Sequence, residues 1–290
     1  MKKRLFSPVT ALPNKSTLNL ASDILLRGGL VAFPTETVYG LGADARNDQA
    51  VAKIFSLKGR PHFNPLIVHI STMQAAQKIG QFDERAEMIA ETFWPGPLSI
   101  VVRRQKNSNL SFLVSAGLDT VALRIPGSPL ARDLITSANC PIAAPSANQS
   151  GGISPTIAEH VRESFVGYKK DDLELIVDGG PCEVGLESTV IDLTEEEPQL
   201  LRPGAVTYEV LSGFLGKITM STYEDDSPKS PGMLTKHYAP KIPLRMNALS
   251  ANTNEALLAF GDSVNSPTLN LSYNSNLIEA ASNLFSMLRQ

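Results

Sequence analysis

The sequence predicts an α/β protein built around a mixed, twisted sheet. Short apolar runs, which are typical of buried strands, recur through the first two hundred residues. Segments with helical spacing separate some of these runs, but strand candidates outnumber helix candidates. Because a parallel strand pair needs a long crossover, usually a helix, a mixed sheet fits this ratio better than a strictly parallel sheet.

The predicted elements follow one another closely, and glycine, proline or a change of periodicity marks their ends. We predict strands at residues 30–33, 66–70, 98–102, 121–124, 142–144, 175–177, 189–193 and 199–202. We predict helices at residues 20–27, 50–57, 73–79, 84–92 and 130–137.

The composition and the hydrophobic periodicity of the chain change near residue 212, so we expect two unequal domains. Residues 1–212 are predicted to form the large domain. Residues 213–240 include a stretch rich in Ser, Pro, Asp and Gly without periodicity, which is typical of a linker. Residues 241–290 are predicted to form a small α/β domain. Within it we predict extended segments at 243–246, 256–260 and 268–271 and an amphipathic helix at 276–288.

The composition is that of a globular protein able to bury a core, with 42% hydrophobic and 19% charged residues. No apolar run approaches the roughly 20 residues of a membrane span, and the N-terminus lacks the apolar block of a secretory signal. The two cysteines, Cys140 and Cys182, form no CxxC pair, which argues against a disulfide framework or a zinc site. We therefore predict a cytoplasmic protein that makes no membrane contact.

The charge is distributed unevenly. The formal net charge is −3, but residues 1–170 hold 19 Lys and Arg against 12 Asp and Glu, a net of +7. A basic region suits a phosphate-bearing ligand, although much of such an excess is usually solvated surface. The acidic whole argues against strong non-specific nucleic-acid binding.

The segment KGRPHFNP, residues 58–65, is the first candidate for an anion site. Lys58 and Arg60 can converge on a phosphate chain only if no regular helix separates them, and Gly59 and Pro61 provide that break. Asn64 can hold such a loop by local hydrogen bonds. The alternative is a solvated helix end whose basic residues complement the helix dipole.

Two further segments offer hydroxyl groups and glycine after an apolar run. PTETVYGLG (residues 34–42) places Thr35 and Thr37 where glycine allows close approach of a ligand. PSANQSGGIS (residues 145–154) can present hydroxyl and amide groups to a phosphate. Each could equally be an ordinary turn or surface loop.

Polar residues also interrupt the predicted strands. His69 lies in an otherwise apolar strand, where a histidine is more often a core residue than a ligand-binding one. Arg124 and Arg202 lie at strand ends and, if buried, need either internal carboxylates or ligand anions as partners. Several such arginines favour ligand anions.

The sequence contains no GxSxG elbow, phosphate-binding GxxxxGK[ST] loop or GxGxxG fingerprint, and no cluster that would hold a metal. The inventory therefore suits electrostatic chemistry, in which cations and backbone donors surround phosphates.

Eight segments in order resemble the YrdC-like family, specifically its threonylcarbamoyl-AMP synthases. They lie within about residues 15–205 and are FPTETVYGLG, KGRPHFNPLIVHI, WPGPLS, GLDTVALRIP, IAAPSANQSGGISPT, VDGGP, GLESTVIDL and LLRPG. The later SPGMLTKHYAP, residues 230–240, is similar to the linker motif of the longer, two-domain members.

The resemblance implies a twisted α/β domain with a large, positively charged concave cavity, followed by a small Rossmann-like domain, complete or incomplete. It implies conversion of L-threonine, bicarbonate and ATP to L-threonylcarbamoyl-adenylate and pyrophosphate, the first step of threonylcarbamoyl-adenosine formation in tRNA. Mg²⁺ held mainly by the ATP phosphates and a downstream threonylcarbamoyl transferase complex are implied as well, with at most a weak RNA contact.

The resemblance also assigns residues. Positions that hold threonine match Thr37, His69, Arg124 and Ser188. Positions that contact ATP match Arg60, Asn64, Thr120, Ser146, Ser154, Arg202 and Tyr238. Lys58 matches another basic position near the phosphates, so we expect Lys58 and Arg60 to stabilise the departing pyrophosphate. No protein ligand for a metal is implied.

The chain departs from the family in one respect: the longer members usually run further than the roughly 50 residues that follow Pro240. We therefore expect a naturally short or truncated C-terminal domain with part of its apolar surface open. Two rival functions remain. One is a double-stranded-RNA-binding module of the same fold without turnover. The other is a hydrogenase-maturation carbamoyltransferase, against which the length and the two lone cysteines argue.

Overall fold

A computed structural model describes residues 8–168, 172–221, 238–262 and 267–290, which form eight helices and fourteen strands. The helices are α1 (Lys15–Leu26), α2 (Asp48–Lys58), α3 (Met73–Ile79), α4 (Glu84–Phe93), α5 (Pro129–Ala138), α6 (Ala158–Ser164), α7 (Tyr208–Leu215) and α8 (Leu277–Arg289). The strands are β1 (Val9–Ala11), β2 (Val31–Pro34), β3 (Tyr39–Asp44), β4 (Ile67–His69), β5 (Gly80–Gln81), β6 (Leu98–Arg104), β7 (Thr120–Arg124), β8 (Ile142–Ala143), β9 (Leu175–Val177), β10 (Thr189–Asp192), β11 (Gln199–Arg202), β12 (Thr219–Met220), β13 (Leu258–Ala259) and β14 (Leu269–Asn270).

The predicted mixed sheet is confirmed. Twelve strands form one sheet in the order β1-β9-β2-β3-β8-β4-β7-β6-β10-β11-β12, with β5 paired to β6. The sheet contains both parallel pairs, such as β4–β7, and antiparallel pairs, such as β6–β7. The register of β4 and β7 sets His69 opposite Arg124, which brings two predicted site residues side by side.

Local chemistry explains where α2 begins and ends. Asn47 caps its N-terminus by accepting hydrogen bonds from the backbone N–H groups of Gln49 and Ala50. Gly59 ends it in the left-handed conformation at φ +59°, which glycine adopts without strain. The break predicted between Lys58 and Arg60 is therefore present, because the chain leaves the helix between them.

The strand β3 was not predicted, because PTETVYGLG, residues 34–42, was interpreted as a turn. The turn spans only residues 35–38, and Thr35 closes it: its hydroxyl donates to Val38 O at 2.7 Å. Residues 39–44 then pair antiparallel with β2. A Cβ at Gly42 would lie 2.7 Å from Phe33 Cε1, so the glycine that obscured the strand signal is what permits the close packing.

Apolar side chains cover both faces of the large sheet. One core cluster contains α2, α4 and the inner faces of β6 and β7, and a second contains α1, α5 and the β2–β9 pair. A third, smaller cluster consists of Ile67, Val101, Ala122, Val190 and Leu201 on central strands. Ile67 and His69 are two residues apart on β4 and so point to the same face, which places this small cluster beside the candidate site.

Some of the secondary structure predicted for the C-terminal residues is present. The strands β13 and β14 pair in parallel, and α8 covers the predicted helix. No strand forms at 243–246, where Ile242, Leu244 and Met246 are exposed. In the described part of the chain, no helix is both long and apolar enough to cross a membrane.

The domain boundaries stay a prediction. The helix α7 runs past residue 212, and β12 extends the large sheet to Met220 by pairing with β11. Of the predicted linker, residues 222–237 lie outside the described residues, as does most of the SPGMLTKHYAP segment.

Candidate active site

A cleft opens beside the large sheet, with about 440 Å³ of empty space that includes its open mouth. Its walls come from the β2–β3 turn, the ends of β4, β7 and β11, and the segments after β8 and before β10. The lining residues are Thr35, Thr37, Val38, Gly40, Arg60, Ile67, His69, Arg124, Ala144, Pro145, Ser146, Glu187, Ser188 and Arg202. Seven of them are residues that the sequence analysis assigned to a site.

The Glu36–Arg124 pair forms one part of the site. Arg124 is 3% exposed, and its Nη2 donates to Glu36 Oε1 at 2.6 Å and to Thr37 Oγ1 at 3.0 Å. Its Nε donates to Gly96 O at 3.1 Å, which fixes the plane of the guanidinium. The Glu36 carboxylate also accepts from Ser128 N at the start of α5. This guanidinium is therefore buried, oriented and close to a hydroxyl.

The pKa of Glu36 reports this arrangement. Burial alone raises it, but the charge of Arg124 and the backbone N–H of Gly127 outweigh burial and hold the pKa below its usual range. The carboxylate is therefore ionised at neutral pH, so that Arg124 has a permanent internal counter-charge.

His69 contacts the same part of the cleft. It is buried, and its ring packs edge-on against Phe33 with centroids 6.5 Å apart. Burial, reinforced by the positive charge of Arg124, lowers its pKa to about 3, so the imidazole is neutral at pH 7. Within the described residues its Nδ1 has no hydrogen-bond partner, which leaves a polar atom available to a ligand.

The Glu187–Arg202 pair forms the other part of the site. Arg202 ends β11, and its Nη1 donates to Glu187 Oε2. Its Nε donates to Ser188 O at 2.9 Å and its Nη2 to Ser188 Oγ at 3.0 Å. Ser188 in turn shares a 2.8 Å hydrogen bond with Ser99 Oγ. Both members of this pair are buried.

Two more predicted nucleotide residues converge on Glu187. Ser154 Oγ donates to Glu187 Oε1 at 2.6 Å, and Tyr238 OH donates to Glu187 Oε2 at 3.1 Å. The Tyr238 ring stacks on Phe285 of α8 with centroids 5.2 Å apart. Glu187 therefore accepts hydrogen bonds from segments that are distant from one another in the sequence.

The KGRPHFNP segment lies next to this pair. Arg60 donates from Nη2 to Asn64 Oδ1 at 2.6 Å and to Pro65 O at 2.8 Å, while Asn64 Nδ2 has no partner in the part of the chain that the structure describes. Burial lowers the pKa of Arg60 to about 10, and it remains cationic. Burial, with the charge of Arg60, lowers the pKa of Lys58 to about 7.

Lys58 contacts protein backbone. Its Nζ donates to Ser146 O and Asn148 O, which ties α2 to the PSANQSGGIS segment. That segment is held from its other side, where Ala147 N donates to Tyr39 O at 2.8 Å. Lys58 thus positions Ser146 at the cleft wall.

Five predicted residues are absent from the lining of the cleft. Four of them bind residues that line it: Lys58, Asn64, Ser154 and Tyr238. Thr120 lies further away. It starts β7, whereas Arg124 ends the same strand, about 13 Å further at the usual rise of a strand. It pairs with Arg103 on β6, outside the lining residues. The two residues share a face of the sheet, but the length of the strand separates them.

Sequence reasoning missed the two carboxylates. It favoured ligand anions as partners of Arg124 and Arg202, and the structure instead pairs them with Glu36 and Glu187. A guanidinium that is buried without ligand requires an internal counter-ion. The available signal was an acidic residue beside a predicted site residue, in PTET and in LEST.

A resident metal is not supported by the side chains present. Among the described residues, no three His, Cys, Asp or Glu side chains lie together as a metal site. The two carboxylates at the cleft each bind an arginine.

Two models of known protein families match the chain. A family model described as "Telomere recombination" (Sua5, YciO and YrdC) matches residues 23–204. A second, described as "Threonylcarbamoyl-AMP synthase, C-terminal domain", matches residues 206–290.

Individual proteins agree with both models. The chain is 47% identical over 228 residues to a protein named threonylcarbamoyl-AMP synthase from Pyrococcus abyssi, covering 77% of this chain and 65% of that protein. It is 45% identical over 248 residues to the synthase of that name from Bacillus subtilis, covering 83% and 70%. The crystal structure of P. abyssi Sua5 complexed with L-threonine superposes with a TM-score of 0.83 at 36% identity, covering 98% of this chain and 87% of that one. The resemblance read from the sequence is therefore confirmed: the chain belongs to the Sua5/YciO/YrdC family, in its two-domain form.

Proposed function

We propose that this protein makes L-threonylcarbamoyl-adenylate from L-threonine, bicarbonate and ATP and releases pyrophosphate. The observation that carries the proposal is a single cleft in which Arg124 and Arg202 are both buried. One arginine suits the carboxylate of an amino acid and the other suits phosphate. Relatives with the corresponding name, one of them solved with L-threonine, support the same reading.

The Glu36–Arg124 pair is proposed to hold threonine. The guanidinium would receive the substrate carboxylate, while the hydroxyls of Thr37 and Ser188 and the neutral ring of His69 would contact the amine and side-chain hydroxyl. A neutral His69 adds no charge that would keep the substrate amine protonated. This matters because the free amine is the nucleophile.

The proposed chemistry has two steps. The threonine nitrogen forms a bond to the carbon of bicarbonate, and water leaves, which gives an N-carboxylate. An oxygen of that carboxylate then attacks the α-phosphorus of ATP, and the bond to pyrophosphate breaks. Neither step needs a covalent enzyme intermediate, so positioning and charge stabilisation are the work of the protein.

The nucleotide is proposed to bind at the Glu187–Arg202 pair. Arg60 and Arg202 would neutralise the phosphates, and the free Nδ2 of Asn64 and the hydroxyls of Ser146 and Ser154 would donate to them. We propose that Lys58 assists departure of pyrophosphate mainly by holding Ser146, since its Nζ is already bound to carbonyl oxygens. Tyr238 would close over the nucleotide.

Mg²⁺ would enter as the MgATP substrate, bound by phosphate oxygens and water. The product, a mixed anhydride of a carbamate and a phosphate, requires a transferase that moves the threonylcarbamoyl group to tRNA. We place the reaction in the cytoplasm, which suits the two buried free cysteines. The double-stranded-RNA-binding alternative is not favoured, because the relatives are named as synthases.

The test is release of pyrophosphate from MgATP in the presence of threonine and bicarbonate, with each component omitted in turn. The proposal predicts release that needs all three. Release without threonine or without bicarbonate would contradict it. Affinity for duplex RNA that falls steeply with salt, in a protein that never cleaves ATP, would support the alternative.

A further inference from the structure

Glu187 gathers the side chains that the proposed function assigns to the nucleotide. Arg202, Ser154 and Tyr238 all donate to its two oxygens. These donors come from the end of β11, from the loop after β8 and from the segment that follows residue 237. A carboxylate with donors on both oxygens presents the same pattern as a terminal phosphate oxygen pair.

The charge of Glu187 reaches further than its hydrogen bonds. It raises the pKa values of both Lys58 and Arg60, against burial, which lowers them. Two buried cationic side chains, Arg60 and Arg202, therefore line the cleft together with one buried carboxylate. Without an anion in their midst, those cations would be desolvated and uncompensated, which is costly.

We propose that Glu187 occupies the phosphate position of the nucleotide site in the ligand-free protein and that ATP displaces it. The inference rests on the proposed function. Glu187 would stabilise the empty site and would weaken ATP binding, because the phosphates must first break its contacts and would otherwise lie beside a like charge.

The chain around Glu187 permits this exchange. Ser188 O is held by Arg202 Nε, and Thr189 N donates to Pro97 O at 3.0 Å, so the start of β10 is anchored. On the other side of Glu187, two residues before it, Gly185 at φ +69° packs against the backbone of Ser282 in α8. The backbone is therefore fixed on both sides, and the carboxylate can leave by rotation about its own side-chain torsions.

The test compares Glu187→Gln with Glu183→Gln. Glu183 is exposed and lies four residues away, so its variant changes the net charge equally without touching the cleft. We expect Glu187→Gln to melt at a lower temperature than wild type when ligand-free and to gain more in melting temperature on addition of MgATP. In calorimetric titration it should bind MgATP about tenfold more tightly, the ratio for loss of one competing charge-assisted contact. Glu183→Gln should match wild type in all three.

The outcomes separate the two proposals. If wild type binds MgATP and Glu187→Gln binds it no more tightly, the exchange is wrong while the nucleotide site stands. If neither protein binds MgATP, the nucleotide site fails and the exchange fails with it. If Glu187→Gln does not fold, Glu187→Asp, which keeps the charge but withdraws it by one methylene, must also bind MgATP more tightly than wild type. Weaker binding would overturn the exchange.

Discussion

The cleft contains two arginine–glutamate pairs that look alike but are supported differently. In the Glu36–Arg124 pair, the carboxylate lies on the β2–β3 turn and is held by Arg124 and by backbone N–H at the start of α5. In the Glu187–Arg202 pair, the carboxylate is held by side chains from a loop and from the C-terminal part of the chain. The first pair involves only the β2–β3 turn, the end of β7 and the start of α5, whereas the second also involves the loop after β8 and the segment that contains Tyr238.

This difference indicates a division of labour. The proposed threonine subsite is preformed, since His69 and Arg124 are set by strand register. The proposed nucleotide subsite is complete only when Ser154 and Tyr238 are in place. Tyr238 in turn rests on Phe285 of the C-terminal helix. We therefore expect changes in the small domain to affect ATP and to leave threonine unaffected.

The largest expected effect comes from removing one arginine. Arg124→Met or Arg202→Met leaves a buried carboxylate without its guanidinium and should lower the free energy of unfolding by about 3–5 kcal/mol. Arg124→Met should be the worse, because Glu187 keeps Ser154 and Tyr238 whereas Glu36 keeps Ser128 N. Chemical denaturation measures both.

Matched variants test this explanation. The double variants Glu36→Gln/Arg124→Met and Glu187→Gln/Arg202→Met should recover most of the lost stability, because no charge is left buried alone. Lys217→Met, which breaks an exposed pair with Glu197, should change nothing measurable. Equal losses of stability for Lys217→Met and for the two buried arginine variants would contradict the comparison.

The next effect is a pH dependence that Lys58, on the Glu187–Arg202 side, should produce. Folded Lys58 loses its proton near pH 7 and unfolded Lys58 near pH 10.5. Between these values the unfolded chain binds more protons, so the Lys58 contribution to the free energy of unfolding rises with pH by up to about 1.4 kcal/mol per unit. Denaturation of wild type and Lys58→Met at pH 7, 8 and 9 should show this slope only in wild type.

Phe285 gives the smallest expected effect. Phe285→Ala removes a stacked ring pair worth about 0.5–1.5 kcal/mol, so the KM for ATP should rise a few-fold while the KM for threonine stays unchanged. Ile278→Ala, on the same helix but 83% exposed, is the control and should leave both constants at wild-type values. A matching rise in the KM for threonine would show that α8 supports the whole cleft.

Particular residues show how far sequence reasoning reached. Apolar runs and caps predicted most strands and helices, and the glycine break predicted how Lys58 and Arg60 separate. The strand β3 was missed because its glycines, needed for contact with Phe33, lower the strand signal. Thr120 was assigned from resemblance, and only the register and length of β7 reveal its distance from Arg124. Glu36 and Glu187 stand beside predicted site residues, but their pairing with Arg124 and Arg202 is set by contacts in the folded structure.

The most direct test of the divided cleft is the pair of KM values for Arg124→Lys and Arg202→Lys in the pyrophosphate-release reaction. Lysine keeps the charge but loses the two-pronged geometry of the guanidinium. The account predicts that Arg124→Lys raises the KM for threonine roughly tenfold with the KM for ATP unchanged, and that Arg202→Lys does the reverse. Equal changes in both constants for both variants would contradict it.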